Sequence, residues 1–322
     1  MTVKELKKQL LVTACSVAIA FIALASSTYA WYVSNNKVDA TTSTISAKTE
    51  NFVLQIASLQ EGAQHGNNQS LVASTVGHRI SPSSTNDLEN WYASLTWGQD
   101  GYVHSYMQAD VDDTGKYTKD KTGAYTIDPA RYAFIKSEYI IYTVTRTGNC
   151  DVYLASDGDI PAVQVTSSGT PTSDVIPKSL RVGITIQDLD GTNPVGAENL
   201  VLVYAPYDEV GKGNDKNGID GWTYVADATS LASVTYPHVY GTNYTWTDST
   251  NTAHNYAATK NGSVYEPPTT NATTIASDVD YDGKIMRVYI WLEGTDEQCV
   301  NNSNEDDPST YNVTVSLAGV AK

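Results

Sequence analysis

The stretch LRVGITIQ, residues 180–187, alternates apolar side chains with other side chains at a period of two. Leu180, Val182, Ile184 and Ile186 therefore fall on one face of an extended chain. Such a pattern is typical of a strand in an antiparallel sheet that has one buried face and one solvated face. We predict a β-strand here, and the sequence on either side decides the rest of the fold.

The same alternation occurs in residues 285–293, 311–317 and 52–56. Residues 138–145 and 199–204 are apolar on both faces, which suits central strands. In residues 285–293 the pattern assigns one face to Met286, Val288, Ile290 and Leu292, and the other to Arg287, Tyr289, Trp291 and Glu293.

The whole composition favours β-structure, because the chain has 22 Tyr, abundant Thr and Val, and few sustained helical patterns. We predict an all-β fold, an antiparallel two-sheet sandwich of jelly-roll type. Residues 40–322 are expected to form this domain, with large loop insertions near residues 60–130 and 206–282. Because unstructured loops of that length are rare, the insertions are expected to carry short strands or small helices.

The N-terminus has the features of a secretory leader. Lys4, Lys7 and Lys8 precede an apolar run of 16 residues at positions 10–25, which is shorter than the roughly 20 residues that a membrane span needs. Thr28-Tyr29-Ala30 is an acceptable cleavage site, so residues 1–30 are interpreted as a helical signal peptide, cut between Ala30 and Trp31. The expected location is then extracellular or at the cell surface.

An uncleaved anchor is the alternative for this leader. The apolar run resumes at Trp31-Tyr32-Val33, and aromatic residues at a helix end also occur at membrane interfaces. In that case the chain would contact the membrane through its leader alone.

Charge and cysteine content agree with export. The formal charge is −16, and loss of three lysines and one glutamate with the leader changes it to −18. A chain this acidic repels phosphate backbones, which excludes nucleic acid as an expected partner. Outside the leader the only cysteines are Cys150 and Cys299, and a single disulfide between them is the simplest prediction for an oxidising compartment. Two unpaired thiols are the alternative.

No catalytic signature is present. The sequence lacks a His-Glu-x-x-His zinc motif, a Gly-x-Ser-x-Gly elbow and a phosphate-binding loop. No two of the five histidines lie at ligand spacing. We therefore predict that the protein is not an enzyme and needs no cofactor.

One acidic cluster has a possible calcium-binding pattern. Asp278, Asp280 and Asp282 alternate and are followed by Gly283, as in the first half of an EF-hand loop. The twelfth position, however, is Tyr289 and not Glu. An Asp/Gly turn that leads into a strand is the alternative.

Several aromatic residues fall in loop-like sequence and admit two interpretations. They could stack on sugar rings, or they could pack the insertions onto the sandwich, since aromatic side chains bury large areas. The second interpretation is favoured. The tryptophans concerned are Trp91, Trp97, Trp222 and Trp246.

The N-terminal region resembles a known family. The residues Ser27-Thr28-Tyr29-Ala30-Trp31-Tyr32, followed by a Thr/Ser-rich strand at residues 40–48, are similar to the leader and mature start of the TasA/camelysin family. These are secreted biofilm-matrix proteins exported with a SipW-type signal peptidase. The resemblance covers residues 1 to about 58 and is weaker beyond them, around residues 291–296. It implies a jelly-roll domain, and fibres in which the N-terminal strand of one subunit completes the sheet of the next.

The residues themselves also favour assembly. After cleavage, residues 31–39 form an extended aromatic segment ahead of the first strand, and Trp31 and Val33 provide anchors on one face. An unpaired sheet edge can pair with such a strand from another molecule. The alternative is that the segment folds back onto its own domain and gives a soluble monomer.

The leading functional hypothesis is therefore a secreted, non-enzymatic protein of the cell surface or extracellular matrix, self-associating as a biofilm fibre subunit. The alternatives are an adhesin that binds cell-surface carbohydrate or protein, and a calcium-dependent hydrolase without a recognisable motif.

Overall fold

The computed structural model of the chain describes residues 38–48, 54–59, 62–63, 65, 71–85, 87–97, 103–120, 131–158, 160–168, 179–206, 223–227, 230–233, 236–262, 264–296, 299 and 310–322. The strands in this part of the chain are β1 (Val38–Lys48), β2 (Leu54–Ser58), β3 (Leu71–Ile80), β4 (Ser83–Ser84), β5 (Trp91–Trp97), β6 (Val103–Val111), β7 (Tyr117–Asp120), β8 (Ile135–Thr143), β9 (Cys150–Ser156), β10 (Val163–Ser168), β11 (Leu180–Asp190), β12 (Asn193–Ala205), β13 (Thr223–Asp227), β14 (Ser230–Ser233), β15 (His238–Tyr240), β16 (Thr245–Thr247), β17 (Ala253–Asn255), β18 (Ala257–Asn261), β19 (Val264–Glu266), β20 (Ala276–Val279), β21 (Lys284–Leu292) and β22 (Thr310–Ala321).

Two large sheets organise the fold. An eight-stranded sheet runs in the order β19-β18-β9-β22-β1-β3, with β10 also paired to β22 and β20 paired to β9. A six-stranded sheet runs in the order β15-β12-β11-β21-β8-β2. Most neighbouring strands are antiparallel, but β1 is parallel to β22, β18 to β9, and β12 to β15.

The two large sheets share one apolar core. The alternating residues of β21 and β22 that were assigned to an inner face are all at most 3% exposed and belong to this core. They are joined by alternating residues of β8, β9 and β11. The all-β prediction is therefore confirmed, and the architecture is sandwich-like, with several sheets that do not close into a barrel.

A third sheet, β4-β5-β6-β7, covers the outer face of the six-stranded sheet. Trp91 of β5 packs in one cluster with Phe134, which lies in the loop before β8, and with Tyr289 and Trp291 of β21. Gly183 of β11 lies so close to this layer that a Cβ atom there would stand 2.9 Å from a methyl carbon of Leu88. The central sheet is thus sandwiched between two layers.

This third layer corrects the prediction of half-buried strands. The face of β21 that was expected to be solvated is buried, with Arg287 at 7%, Trp291 at 0% and Glu293 at 3% exposure. Arg181 of β11 is likewise 2% exposed. At Trp291 and Glu293 the physical reason is that the insertion near residues 60–130 folds back as a sheet and excludes water. Arg287 is enclosed by polar side chains of neighbouring strands, Glu138, Gln187 and Glu198.

Both insertions carry short strands, as predicted. Residues 60–130 include β3, which joins the eight-stranded sheet, and the whole third sheet. Residues 206–282 include β13 to β20, of which β13–β14 and β16–β17 form separate two-stranded sheets. The predicted signal helix lies outside the described residues. Within the described part, no helix has the length and apolar character that a membrane crossing requires.

Candidate functional site

The N-terminal strand occupies an interior position in the eight-stranded sheet. Strand β1 lies between β22 on one side and β3 on the other. It runs parallel to β22, with register partners from Asp39↔Thr310 to Lys48↔Ala318, and antiparallel to β3, from Val38↔Ile80 to Ser46↔Leu71. Both edges of β1 are therefore paired, one with the nearby strand β3 and the other with β22, the last strand of the described chain.

The strands around β1 define a slot, which we call the β1 slot and which consists of the facing edges of β22 and β3. On its other side β22 is already paired, with β10 along residues 310–315 and with β9 along residues 317–321. Removal of β1 would therefore leave unpaired backbone groups on one edge of β22 and on the facing edge of β3. Such edges pair readily with another strand.

The core side of β22 rests directly behind this slot. Tyr311, Val313, Val315 and Leu317 are at most 1% exposed and belong to the core between the two large sheets. A vacant β1 slot would thus open a sheet whose inner face is apolar. Strand β1 stabilises the sandwich as well as completing the sheet.

The residues predicted to donate a strand lie at the edge of what the structure describes. Residues 31–37, which include Trp31 and Val33, and the predicted cleavage position at Ala30 lie outside the described residues. The last residues of the predicted donor segment, Val38 and Asp39, already belong to β1. Val38 pairs with Ile80 of β3, and Asp39 pairs with Arg79 of β3 and with Thr310 of β22. The segment therefore continues directly into the strand that fills the β1 slot.

The predicted disulfide between Cys150 and Cys299 is wrong, because both residues are buried free thiols. Cys150 begins β9 and pairs across from Val279 and Ala321, ahead of the first residue of β21. Cys299 lies beyond the other end of β21, where its N–H donates to the Asp296 carbonyl at 2.9 Å. Since nine extended residues span about 30 Å, β21 separates the two cysteines by far more than a disulfide can bridge.

Burial also makes these thiols poor nucleophiles. Desolvation, assisted by the nearby Asp151 carboxylate, raises the pKa of Cys150 to about 12. Desolvation raises the pKa of Cys299 too, with the carboxylates of Asp296 and Glu293 adding to the effect. Both groups are thus neutral thiols at physiological pH, and a catalytic cysteine requires the opposite shift.

The three aspartates of the calcium hypothesis have separate partners. Asp278 accepts hydrogen bonds from Asn149 Nδ2 at 3.2 Å and Lys322 Nζ at 2.8 Å. Asp280 Oδ1 accepts from the backbone N–H groups of Asp282 and Gly283, each at 3.1 Å. Gly283 has a φ of +84°, and a Cβ there would stand 2.8 Å from the Ile141 carbonyl oxygen.

This geometry is that of the Asp/Gly turn, the alternative interpretation. Within the described residues, no group of three or more His, Cys, Asp or Glu side chains is placed to hold a metal ion. The same device recurs at Asp112 and Asp248, whose carboxylates each accept from a backbone N–H two residues on and another four residues on. Acidic residues in this chain therefore serve repeatedly as turn caps.

The tryptophans have mainly structural roles where the structure describes them. Trp91 is 1% exposed and donates through Nε1 to the Leu88 carbonyl at 3.1 Å. Trp246 is half-buried, packs against the main core and stacks with His254, with ring centroids 5.4 Å apart. Trp222 and the side chain of Trp97 lie outside the described residues. Packing of the insertions onto the sandwich, the favoured interpretation, therefore holds for Trp91.

One polar cluster was missed by the sequence reasoning. Arg181, Glu293 and Asp296 are each at most 3% exposed and lie where the third sheet meets the end of β21. Arg181 and Asp296 form a buried ion pair. Alternation had assigned Arg181 and Glu293 to a solvated face, and only the presence of the third sheet identifies them as buried. The sole sequence signal was their position on strands that are otherwise strongly apolar.

Comparison of the chain with protein-family models, with curated proteins and with solved structures gave no match in any of the three.

Proposed function

We propose that this chain is a secreted, non-enzymatic structural protein of the cell surface or extracellular matrix, which polymerises by donating its N-terminal strand to a neighbouring copy. The observation that supports this most directly is the position of β1 between β22 and β3. In this proposal the domain is a sandwich of jelly-roll type, and the leader of residues 1–30 is removed on export.

The position of β1 makes exchange between copies feasible. β1 is the first strand of the described chain, and its covalent link to the described strands that follow runs through the segment after Lys48. A copy of β1 from a second molecule can form the same register with β22 and β3 as the chain's own strand. Exchange of identical elements is a low-cost route to association, because it creates few new contacts and reuses old ones.

A donor segment ahead of β1 would add side-chain anchors to the exchanged strand. Residues 31–37 carry Trp31 and Val33, and burial of such side chains contributes roughly 1.5–3 kcal/mol each, before the cost of association is subtracted. Head-to-tail donation is a heterologous contact, which need not close and can extend into an open filament. The product is a fibre, in line with the resemblance of the leader region to the TasA/camelysin family.

An engineered cross-link tests the proposal directly. Thr44 of β1 and Ala73 of β3 are antiparallel register partners, so a Thr44→Cys/Ala73→Cys chain places two cysteines across the β1 slot. When the mature chain from Trp31 is assembled under reducing conditions and then oxidised, strand donation predicts a ladder of covalent multimers on a denaturing gel. The native cysteines are buried, so they interfere little.

The matched control is Asp190→Cys/Asn193→Cys, a register pair within the β11–β12 hairpin. Because both positions lie on one hairpin, oxidation there should leave monomer bands only. If Thr44→Cys/Ala73→Cys also gives only monomers, while electron microscopy and light scattering detect no fibres of the mature chain, strand donation is rejected. Fibres with intrachain cross-links would show assembly by another surface.

A further inference from the structure

The buried cluster of Arg181, Glu293 and Asp296 lies at the junction between the third sheet and the six-stranded sheet. Ser83 of β4 and Glu293 form a parallel β-bridge, and the Gly294 N–H donates to the Ser83 carbonyl at 2.8 Å. This junction is the place where the short strand β4 is joined to the chain that leaves β21. A change in the charge or position of Glu293 therefore affects both the third sheet and the six-stranded sheet.

The Glu293 carboxylate is held by donors from both layers. Its Oε1 accepts from Thr295 N–H at 3.2 Å and from Thr295 Oγ1 at 2.8 Å, and its Oε2 accepts from Trp291 Nε1 at 3.1 Å. Ser84 of β4 supplies a further side-chain hydrogen bond. Ser84 is thus a direct link from the third sheet to this carboxylate.

The charges in the cluster do not balance when both acids are ionised. One guanidinium, that of Arg181, faces two buried carboxylates, and it is ion-paired with Asp296. An unbalanced buried charge is costly, and such a site takes up a proton when it can. Desolvation accordingly raises the pKa of Glu293 to about 7.

Among the described residues, the other titratable groups that act on Glu293 or are influenced by it are two tyrosines and a cysteine. Tyr117 of β7, Tyr236 ahead of β15 and Cys299 all lie within its electrostatic reach, and burial raises the pKa of each. These three groups are therefore neutral near pH 7. The negative charge of Asp87 acts on Tyr236 and also raises its pKa.

We propose that Arg181, Glu293 and Asp296 form a proton-dependent latch, which holds the β4–β7 sheet on the six-stranded sheet when Glu293 is protonated and weakens that contact when Glu293 is ionised. In the protonated state one cation faces one anion, and the carboxyl O–H can donate to the Ser84 hydroxyl. In the ionised state a second negative charge is confined at the junction. The third sheet is then the element that moves, because its strand β4 is joined to this junction through the Ser83–Glu293 bridge and the Ser84 hydrogen bond.

Opening of the latch would uncover an aromatic surface. The aromatic residues packed together between the two sheets are Trp91 of β5, Phe134 of the loop before β8, and Tyr289 and Trp291 of β21. They are at most 8% exposed in the closed form. A shift from acidic to alkaline conditions would therefore switch on a large apolar patch, of the kind that proteins use to associate.

Hydrogen exchange measured peptide by peptide tests the latch. Each rate is divided by the intrinsic rate at the same pH, so that the protection of a segment reports its own opening. In the wild-type chain, β5 and β6 should be less protected than β22. Their protection should also fall about tenfold between pH 6 and pH 8, as expected for an acid that titrates in this range. In Glu293→Gln, which keeps the shape and loses the charge, protection should no longer depend on pH.

Glu198→Gln is the matched control, because Glu198 accepts a hydrogen bond from Tyr289 at 2.8 Å on the same sheet but is not part of the cluster. It should keep the wild-type pH dependence. Ser84→Ala offers a second variant that leaves the carboxylate intact, and it should lower the protection of β5 and β6 at every pH. The latch is refuted if β5, β6 and β22 share one protection factor throughout, or if Glu293→Gln titrates like wild type. The latch would also be refuted if NMR showed that the Glu293 carboxyl titrates with a midpoint near pH 4.5.

Discussion

Trp91 and Trp291 meet edge to face, with ring centroids 5.7 Å apart and ring planes at 89°. One residue belongs to the third sheet and the other to the centre of the six-stranded sheet. This contact turns the outer face of a sandwich sheet into a second core, and it explains why β21 is buried on both sides. Its loss should be felt by the whole domain.

We expect Trp91→Ala to lower the free energy of unfolding by roughly 3–5 kcal/mol, because it removes a fully buried indole and leaves a cavity. Chemical denaturation followed by circular dichroism measures this. Val264→Ala, at a position that is 42% exposed, is the control and should change stability by less than about 0.5 kcal/mol. A loss of under 1 kcal/mol for Trp91→Ala would mean that the third sheet contributes little to the fold.

We expect deletion of residues 31–39 from the mature chain to leave a folded protein that no longer forms fibres. The deletion removes the proposed anchors Trp31 and Val33 and the first two residues of β1, but leaves most of the register with β22 intact. Electron microscopy and light scattering at high concentration provide the measurement. Fibres from the truncated chain would contradict the role of Trp31 and Val33 as anchors of the donated strand.

Deletion of residues 31–48, which also removes β1, should have a different outcome. The β1 slot would then be empty, so we expect an unstable and aggregating chain. A synthetic peptide of residues 31–48 added during refolding should restore a soluble domain, since the same register can be supplied from outside. A peptide with the same composition in scrambled order serves as the control. Equal rescue by both peptides would exclude specific insertion.

We expect two alkylatable thiols in the purified protein from Trp31 onward when it is denatured without reductant, because Cys150 and Cys299 are unpaired. In the native state both should react very slowly, since burial excludes the reagent and raises the thiol pKa values. Intact mass spectrometry before and after denaturation makes the comparison. If neither cysteine is alkylated without reductant, Cys150 and Cys299 are bonded and the disulfide prediction is correct.

We expect the melting temperature to be the same in calcium and in chelator. Asp280→Ala should still cost about 1 kcal/mol in both solutions, because it removes the acceptor of two backbone N–H groups in the turn before β21. Asp282→Ala, which leaves that acceptor in place, is the control. A calcium-dependent rise in melting temperature that disappears in Asp280→Ala would show that the aspartates bind calcium.

We expect stability to fall as pH rises from about 4.5 through about 7, because of Glu293. Its pKa is raised on folding, so the folded state binds the extra proton, and the resulting stabilisation is complete below the unfolded pKa and lost above the folded one. The shift corresponds to about 3 kcal/mol across this window. Unfolding free energies of wild type and Glu293→Gln at several pH values should diverge accordingly. Parallel pH profiles would show that another group controls stability.

The sequence predicted the strands well and their surroundings less well. The period-two pattern located β11, β21 and β22, because a residue's face in a strand depends only on its parity. The same pattern cannot show whether a second layer covers the other face. Arg181 and Glu293 therefore looked like solvated residues, although a distant insertion buries them.

The candidate site shows the same limit. The Asp/Gly turn could be identified locally, since Asp280 bonds to groups two and three residues away. The disulfide could not be judged locally, because the separation of Cys150 and Cys299 depends on how β21 lies between them. The place of β1 beside β22 joins the first and the last strand of the described residues, and no local pattern encodes that pairing.

The parallel pairing of β1 with β22 also carries a directional consequence. In a fibre made by strand donation, every subunit donates its β1 strand to one neighbour and accepts the β1 strand of the other neighbour. The two ends of the fibre are therefore chemically different. One tip presents an empty receptor and the other an unused donor. A copy that can receive but cannot give would bind at one tip and stop growth there, so small amounts of it would limit fibre length.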